Sequence, residues 1–219
     1  MDRVLELQPE FLEATWETLY LVAGALTIGG FFGLVVGTTL YVTRAGGILP
    51  NRPLNIVINV LVNTFRPIPF ILLAVGLQPL SRALLGTGIG NTAATVALVV
   101  GSTFGIARIV EQNLVSVSPG VLEAARAMGA GRLRTIFTVL LPEAFGPLIL
   151  GYAFAFVAIV DMTAVVGTLG GGGLGNLALT YGYRQFNPWV TWTAIAIVIV
   201  IVQIGQFAAN AWARKVLRR

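Results

Sequence analysis

Twenty-four consecutive residues, Leu19 to Val42, carry no charge. A run of that length crosses the roughly 30 Å hydrocarbon core of a bilayer as a helix. Further apolar stretches follow, and spans are expected at 19–42, 54–77, 84–107, 144–166 and 189–209. Composition agrees: 56% of the 219 residues are apolar and 11% are charged. A soluble domain carries about 25% charged residues and could not bury this much apolar surface in one core. The mean hydropathy is +0.85. The expected fold is therefore an all-α membrane protein, residues 1–219 forming one transmembrane domain with five helices.

With no Cys and no His, a thiol nucleophile, an imidazole base, a disulfide scaffold and a Cys/His metal site are excluded. Glu143 and Asp161 are 18 residues apart, about 27 Å along a straight helix, so paired-carboxylate hydrolysis is also excluded.

Residues 1–18 do not form a signal peptide, which would begin with positive charge. Asp2, Glu6, Glu10, Glu13 and Glu17 oppose only Arg3. Val4, Leu5, Leu7, Phe11 and Leu12 give this segment one apolar face, so it is expected to lie on the outer membrane surface. Within the first span, Gly29, Gly33 and Gly37 recur every fourth residue and leave one face small, a pattern of close helix packing.

Positive charge sets the orientation. Segments 43–53, 108–138 and 210–219 hold ten Lys and Arg: Arg44, Arg52, Arg108, Arg126, Arg132, Arg134, Arg214, Lys215, Arg218 and Arg219. The opposite side holds three, Arg3, Arg82 and Arg184. The N-terminus is expected outside and the C-terminus in the cytoplasm. The pI of 10.2 then reflects topology and contact with anionic lipid rather than nucleic acid, because no basic surface interleaved with aromatics lies outside the membrane boundary.

The second span is interrupted. Arg66 sits in its middle, followed by Pro67 and Pro69. Two prolines remove two backbone donors and forbid a straight helix, and a broken helix persists in a membrane only where protein or a wet cavity covers it. Arg66 costs about 2.5–3.5 kcal/mol on insertion scales unless it finds water or a partner. It is expected to snorkel or to meet carbonyls freed by the prolines, while the break itself serves as a hinge. Asp161 carries a similar cost near the outer end of the fourth span. Two readings stay open for it: a pathway carboxylate for an ammonium group, with Thr163 and Gly167 making that end small and polar, or a structural partner of Arg82 or Arg184.

The longest stretch between spans, 108–141, reads as two short helices. Ser118 suits an N-cap and Pro119 the first helical position. Val121, Leu122, Ala125 and Met128 are expected on one side, and Gly129 and Gly131 permit the turn. Glu123 and Arg126 stand as polar anchors one turn apart. A second helix is expected at 132–141, ended or kinked by Pro142. The run Gly170–Gly175 contains a G-x-G-x-x-G match, but it follows a membrane span instead of a strand, so it reads as a tight outer turn rather than a dinucleotide site.

Residues 123–142 read Glu-Ala-Ala-Arg-Ala-Met-Gly, nine further residues, then Val139-Leu140-Leu141-Pro142. This resembles the E-A-A-x-x-x-G-(x9)-I-x-L-P signature of ABC importer permeases, matched at Glu123, Ala124, Ala125, Gly129, Leu141 and Pro142, with Val139 replacing Ile. Trp16-Glu17-Thr18-Leu19-Tyr20, Asn63-Thr64-Phe65-Arg66-Pro67-Ile68-Pro69-Phe70, Gly172-Gly173-Leu174-Gly175 and Tyr181-Gly182-Tyr183 are similar to segments of the permease subunits of methionine-type amino-acid importers. The resemblance covers nearly the whole chain. One position departs from it: Asp161 stands where an uncharged small residue is expected.

The resemblance implies a type I importer permease in the bacterial plasma membrane. It implies a second copy of this chain, two ATPase subunits and an extracytoplasmic binding (lipo)protein. The first helix of the 108–141 loop would be the coupling helix docking on the ATPase. With no Walker A motif here, ATP and magnesium belong to that partner and this chain holds no cofactor. Rival readings are the same architecture with another amino acid, a quaternary amine or an oxyanion as solute; an ion-driven transporter, which would need a paired inverted repeat; and a structural membrane subunit.

Overall fold

A computed structural model of the chain describes residues 2–217. It is helical, with no strand among the described residues. Four helices are long and apolar enough to cross a membrane, and a fifth crossing comes from a bent pair.

The first crossing begins earlier than the sequence suggests. After a short turn α1 (Asp2–Glu6), helix α2 (Gln8–Gly24) passes through a π-helical segment (Ala25–Gly29) into α3 (Gly30–Thr43). Together they form a 36-residue rod, about 54 Å long at 1.5 Å per residue, well beyond the hydrocarbon thickness. Residues 8–18 therefore do not form a separate helix but continue into the first crossing as one rod. Part of the N-terminal segment's apolar surface is covered by the protein itself: Leu7, Phe11 and Ala14 are buried with Leu174, Leu177, Val190 and Ala194, whereas Leu5 and Leu12 are exposed.

The second crossing is α4 (Arg52–Phe65) and α5 (Phe70–Gly76), bent by 108° across Arg66–Pro69. Asn51 caps α4 by accepting the Leu54 N–H at 3.2 Å. Asn55 ties α4 to α3, donating to the Leu40 carbonyl at 2.9 Å and to Thr43 Oγ1 at 3.1 Å.

The third crossing differs from expectation at both ends. Residues 78–85 form a separate helix α6 (Gln78–Leu85), closed by Gly86 at φ +76°. Helix α7 (Gly90–Val115) then runs eight residues past the expected end at Ala107. Arg108 thus lies inside the helix of a crossing, as do Arg52, the first residue of α4, and Arg214 and Lys215, in the last turn of the C-terminal helix Pro188–Leu217. Arg108 pairs with Glu111 one turn on, and its guanidinium also donates to Asn63 Oδ1 at 2.5 Å. That neutralisation lets α7 continue.

The glycine stripe packs as its spacing predicts. A Cβ on Gly29 would collide with Ser102, on Gly33 with Ile106, and on Gly37 with Val110 and the Ala107 carbonyl. Helices α3 and α7 therefore meet backbone to backbone. Where the π turn widens the rod, Ser102 Oγ donates to the Ala25 carbonyl at 3.3 Å.

The inner loop holds α8 (Pro119–Ala127), α9 (Arg132–Thr135), a π segment (Ile136–Leu140) and α10 (Leu141–Glu143). The fourth crossing, α11 (Phe145–Val166), lies centrally, packing on α7, on α13 and on the α2–α3 rod. Tyr152 pins it to the rod by donating to the Gly30 carbonyl at 2.7 Å. After the glycine-rich run come α12 (Leu174–Leu177), a π segment (Ala178–Tyr183) and the last crossing, α13 (Pro188–Leu217). Arg218 and Arg219, counted in the C-terminal basic segment, lie outside the described residues.

Candidate functional site

The signature loop is built from local backbone rules. Pro119 opens α8, and Ser118 sits at the N-cap with its carbonyl, rather than its side chain, engaged by Val121 N–H at 3.2 Å. Past the C-terminus Gly129 adopts φ +78°. Ala130 N–H reaches the Ala125 carbonyl at 3.0 Å and Gly129 N–H the Arg126 carbonyl at 2.9 Å. This pair of bonds is a Schellman stop, and the left-handed residue in it is one that glycine fills without a Cβ penalty.

The two signature alanines separate in the structure. Ala125 is buried beside Leu122, whereas Ala124, Glu123 and Arg126 are exposed. Glu123 and Arg126 make no ion pair among the described residues, so both are free for another molecule. Met128 was expected beside Leu122 and Ala125. It is instead 81% exposed, because the helix has ended and the chain has turned outward. Leu133 and Phe137 are exposed nearby. The second helix also departs from its expected end at Leu141. It loosens into the π segment Ile136–Leu140 and continues through Pro142 to Glu143 before α11. A proline inside a helix leaves a carbonyl one turn back without its donor, and a π turn ahead of it absorbs the defect.

At the broken span a cavity of about 140 Å³ opens among α4–α5, α7 and α11, with Arg66, Arg108, Gln112, Ala158 and Met162 in its wall. Arg66 is exposed and makes no side-chain hydrogen bond or ion pair among the described residues. Of its two expected placements, contact with carbonyls freed by Pro67 and Pro69 is not made among the described residues; the Phe65 carbonyl accepts the Ile68 N–H at 3.3 Å instead.

Asp161 is exposed on α11 and pairs with neither Arg82 nor Arg184. Thr163, expected beside it in the pathway, is buried, and its hydroxyl donates to the Val160 carbonyl of its own helix at 2.6 Å. Gly167 is closed off too, since a Cβ there would meet Asn176.

The glycine-rich run is held by residues that the sequence did not single out for it. Glu17 Oε2 accepts the Gly173 N–H at 2.7 Å, and Glu17 Oε1 accepts from Asn91 Nδ2 at 2.7 Å. Asn91 Oδ1 accepts the Gly172 N–H at 2.6 Å, and Thr18 Oγ1 accepts the Leu174 N–H at 2.9 Å. Gly173 lies at φ +91°, and a Cβ on Gly172 would collide with the Glu17 carboxylate. Three elements far apart in sequence thus meet at one clasp. The signal was a lone carboxylate beside an uncharged span, together with a loop whose N–H groups no side chain shields.

Comparison with known proteins places this arrangement. The family model described as "binding-protein-dependent transport system inner membrane component" matches residues 29–218. A probable D-methionine transport system permease protein of Vibrio cholerae is 40% identical over 208 residues, covering 95% of this chain and 92% of that protein. The methionine import system permease protein of Bacillus subtilis is 42% identical over 201 residues, covering 92% and 90%. A solved chain of the MetNI methionine ABC transporter, in an inward-facing conformation, superposes with a TM-score of 0.93 at 38% identity, covering 96% of this chain and 98% of that one. The chain belongs to the family of inner-membrane components of binding-protein-dependent transport systems.

Proposed function

We propose that this chain is the pathway-forming subunit of an ATP-driven methionine importer. The observation that carries the reading is the near full-length identity of about 40% to methionine permeases. In the working assembly two copies enclose one route. Two ATPase subunits supply ATP and magnesium, the exposed side of α8 docks on them, and an extracytoplasmic binding protein delivers the solute. Closure of the ATPase dimer moves the α8 helices, and the bend at Arg66–Pro69 acts as the hinge that switches which side is open. Five crossings per chain are few to enclose a solute route alone, which supports a paired assembly. The test is uptake of labelled methionine by proteoliposomes holding this chain, its ATPase and its binding protein. ATP-dependent accumulation is expected. Accumulation of another solute in place of methionine would overturn the substrate, and no accumulation of any solute would overturn the importer reading.

The proposed orientation puts the N-terminus outside and the α8 loop and C-terminus in the cytoplasm, in line with the charge bias. Since the chain has no cysteine of its own, single cysteines report topology without background. Gln185→Cys, in an exposed turn before α13, should react with an impermeant thiol reagent in intact cells. Arg214→Cys, near the exposed end of α13, should react only after permeabilisation. The reverse pattern inverts the orientation.

A further inference from the structure

Two apolar grooves adjoin on one flank of the bundle. The first, of about 900 Å³, lies among the α2–α3 rod, α10–α11 and α13, with Leu26, Phe145, Ala209 and Trp212 in its wall. The second, of about 620 Å³, lies between α3, the turn before α4 and the helix that starts at Arg132, with Phe31, Pro50 and Arg132 in its wall. Leu34, Phe137 and Leu141 line both grooves and form the partition between them. Phe31, Phe137 and Trp212 are exposed, so the partition and both rims stand open to the surroundings, which for these crossings are lipid.

The grooves differ from plain lipid-facing surface at one end. Arg132 stands in the wall of the second groove, and Arg134 follows it on α9. Lys215 lies one helical turn past Trp212 on α13. All three are exposed, and none forms an ion pair among the described residues. Trp212 meets Phe145 edge to face with ring centroids 5.6 Å apart, and tryptophan gathers at the level where headgroups begin. Toward Leu26 and Phe31 the walls carry no charge, and no carboxylate lines either groove. Basic pockets between membrane helices at this boundary attract anionic lipid headgroups.

Two apolar slots with a shared wall, and unpaired cations at the headgroup end, match a molecule with two hydrocarbon chains and one anionic head. We propose that these grooves hold one anionic diacyl phospholipid, such as phosphatidylglycerol, with one chain in each groove and the phosphate near Arg132, Arg134 and Lys215. A second copy of this chain fits less well, because a two-fold contact would set the same cations against each other with no groove carboxylate to offset them. Leu141 and Pro142 belong to the signature loop and line the first groove, so the bound lipid ties that loop to α3 and α13. Which solute crosses the membrane does not enter into this binding.

The experiment uses the permease–ATPase complex in detergent, stripped of lipid. It is titrated with dioleoyl phosphatidylglycerol or with dioleoyl phosphatidylcholine, which has the same chains and a neutral head. Bound lipid is counted by native mass spectrometry, and the melting temperature is followed. One phosphatidylglycerol per permease chain is expected, with a raised melting temperature. Its preference over phosphatidylcholine should be about tenfold or more, since each nearby cation contributes about fivefold. Arg132→Gln should weaken phosphatidylglycerol by about fivefold and leave phosphatidylcholine unchanged, whereas Arg132→Lys should bind as the wild type does. Ala209→Phe fills the first groove and should abolish retention of both lipids. Phe137→Ala, which trims an exposed residue of the partition, should weaken both lipids alike and decides the matter if Ala209→Phe fails to fold. Equal affinity of the wild type for the two lipids overturns the site. So does unchanged phosphatidylglycerol binding by both Arg132→Gln and Phe137→Ala. Glycerol 3-phosphate matching phosphatidylglycerol in raising the melting temperature would overturn the lipid in favour of a free anion. Separation of the permease copies by Phe137→Ala would assign this face to the contact between copies and overturn the site as well.

Discussion

Glu123→Ala and Gly129→Val should both insert and fold, yet transport little. The two act at different points. Glu123 is exposed and bonds to nothing among the described residues, so its removal costs the isolated chain almost no stability. Its loss is felt only where a partner meets α8. A central interfacial residue typically contributes 2 kcal/mol or more, about thirtyfold in affinity. Gly129 acts through the backbone. At φ +78° a β-branched residue is strained by about 1–3 kcal/mol. Relief requires undoing the bonds from Ala130 to Ala125 and from Gly129 to Arg126, which would swing Met128 and re-aim the end of α8. Gly129→Ala should fall between valine and wild type. The measurements are membrane level, co-purification of the ATPase and carrier-stimulated ATP hydrolysis. Normal membrane levels with weakened ATPase association are expected for Glu123→Ala. Gly129→Val should also uncouple whatever ATPase remains bound. Wild-type uptake by both variants would remove α8 as the coupling element.

What could be read from the sequence followed from how local its cause was. The glycine stripe of the first span was legible because its cause is a four-residue spacing, and the collisions that a Cβ would meet fall on successive turns of α7. The break at Arg66–Pro69 was legible because proline acts on its own backbone. The stop at Gly129 was legible for the same reason. The end of α7 was not, because two charges near a membrane boundary normally mark a loop. Here Arg108 and Glu111 cancel each other and Asn63, 45 residues away, takes up a further donor. Thr163 was misplaced because periodicity gives a face but not which neighbour covers it, and α11 is packed by α7, α13, α12 and the rod. The continuity of the N-terminal segment with the first crossing was the least legible feature. The segment's acidic residues fit a solvated surface helix until the later loop and α13 are in place to bury Leu7, Phe11 and Ala14.

Glu17→Ala should lower the melting temperature and reduce uptake, although residue 17 precedes the uncharged core of the first span. Its carboxylate accepts from partners 74 and 156 residues away, Asn91 and Gly173. Each donor left unpaired costs about 1–3 kcal/mol when buried. Glu17 is only half-buried, so water recovers part of that, and a total of about 2 kcal/mol is expected. For a chain of this length that corresponds to a fall of about 4–8 °C. Three variants separate the causes. Glu17→Gln keeps the shape and one acceptor, but its amide group turns a donor toward one of the two donors, so its loss should be smaller than that of alanine. Thr18→Val removes only the acceptor for Leu174. Gly172→Ala leaves every donor and acceptor in place but drives a methyl group into the Glu17 carboxylate, so it should resemble Glu17→Ala. If the clasp matters through its hydrogen bonds, the double variant Glu17→Ala with Gly172→Ala should be scarcely worse than either single one, since the two break the same junction. Additive losses would mean that each residue acts alone, and an unchanged melting temperature for Glu17→Ala would mean that the loop is held by packing around Leu174 and Leu177 instead. The clasp joins the start of the first crossing, the start of α7 and the loop leading from α11 to α13. A loosened clasp should therefore lower uptake while ATPase association at the opposite end of the molecule stays intact, whereas Glu123→Ala should lower uptake by weakening that association.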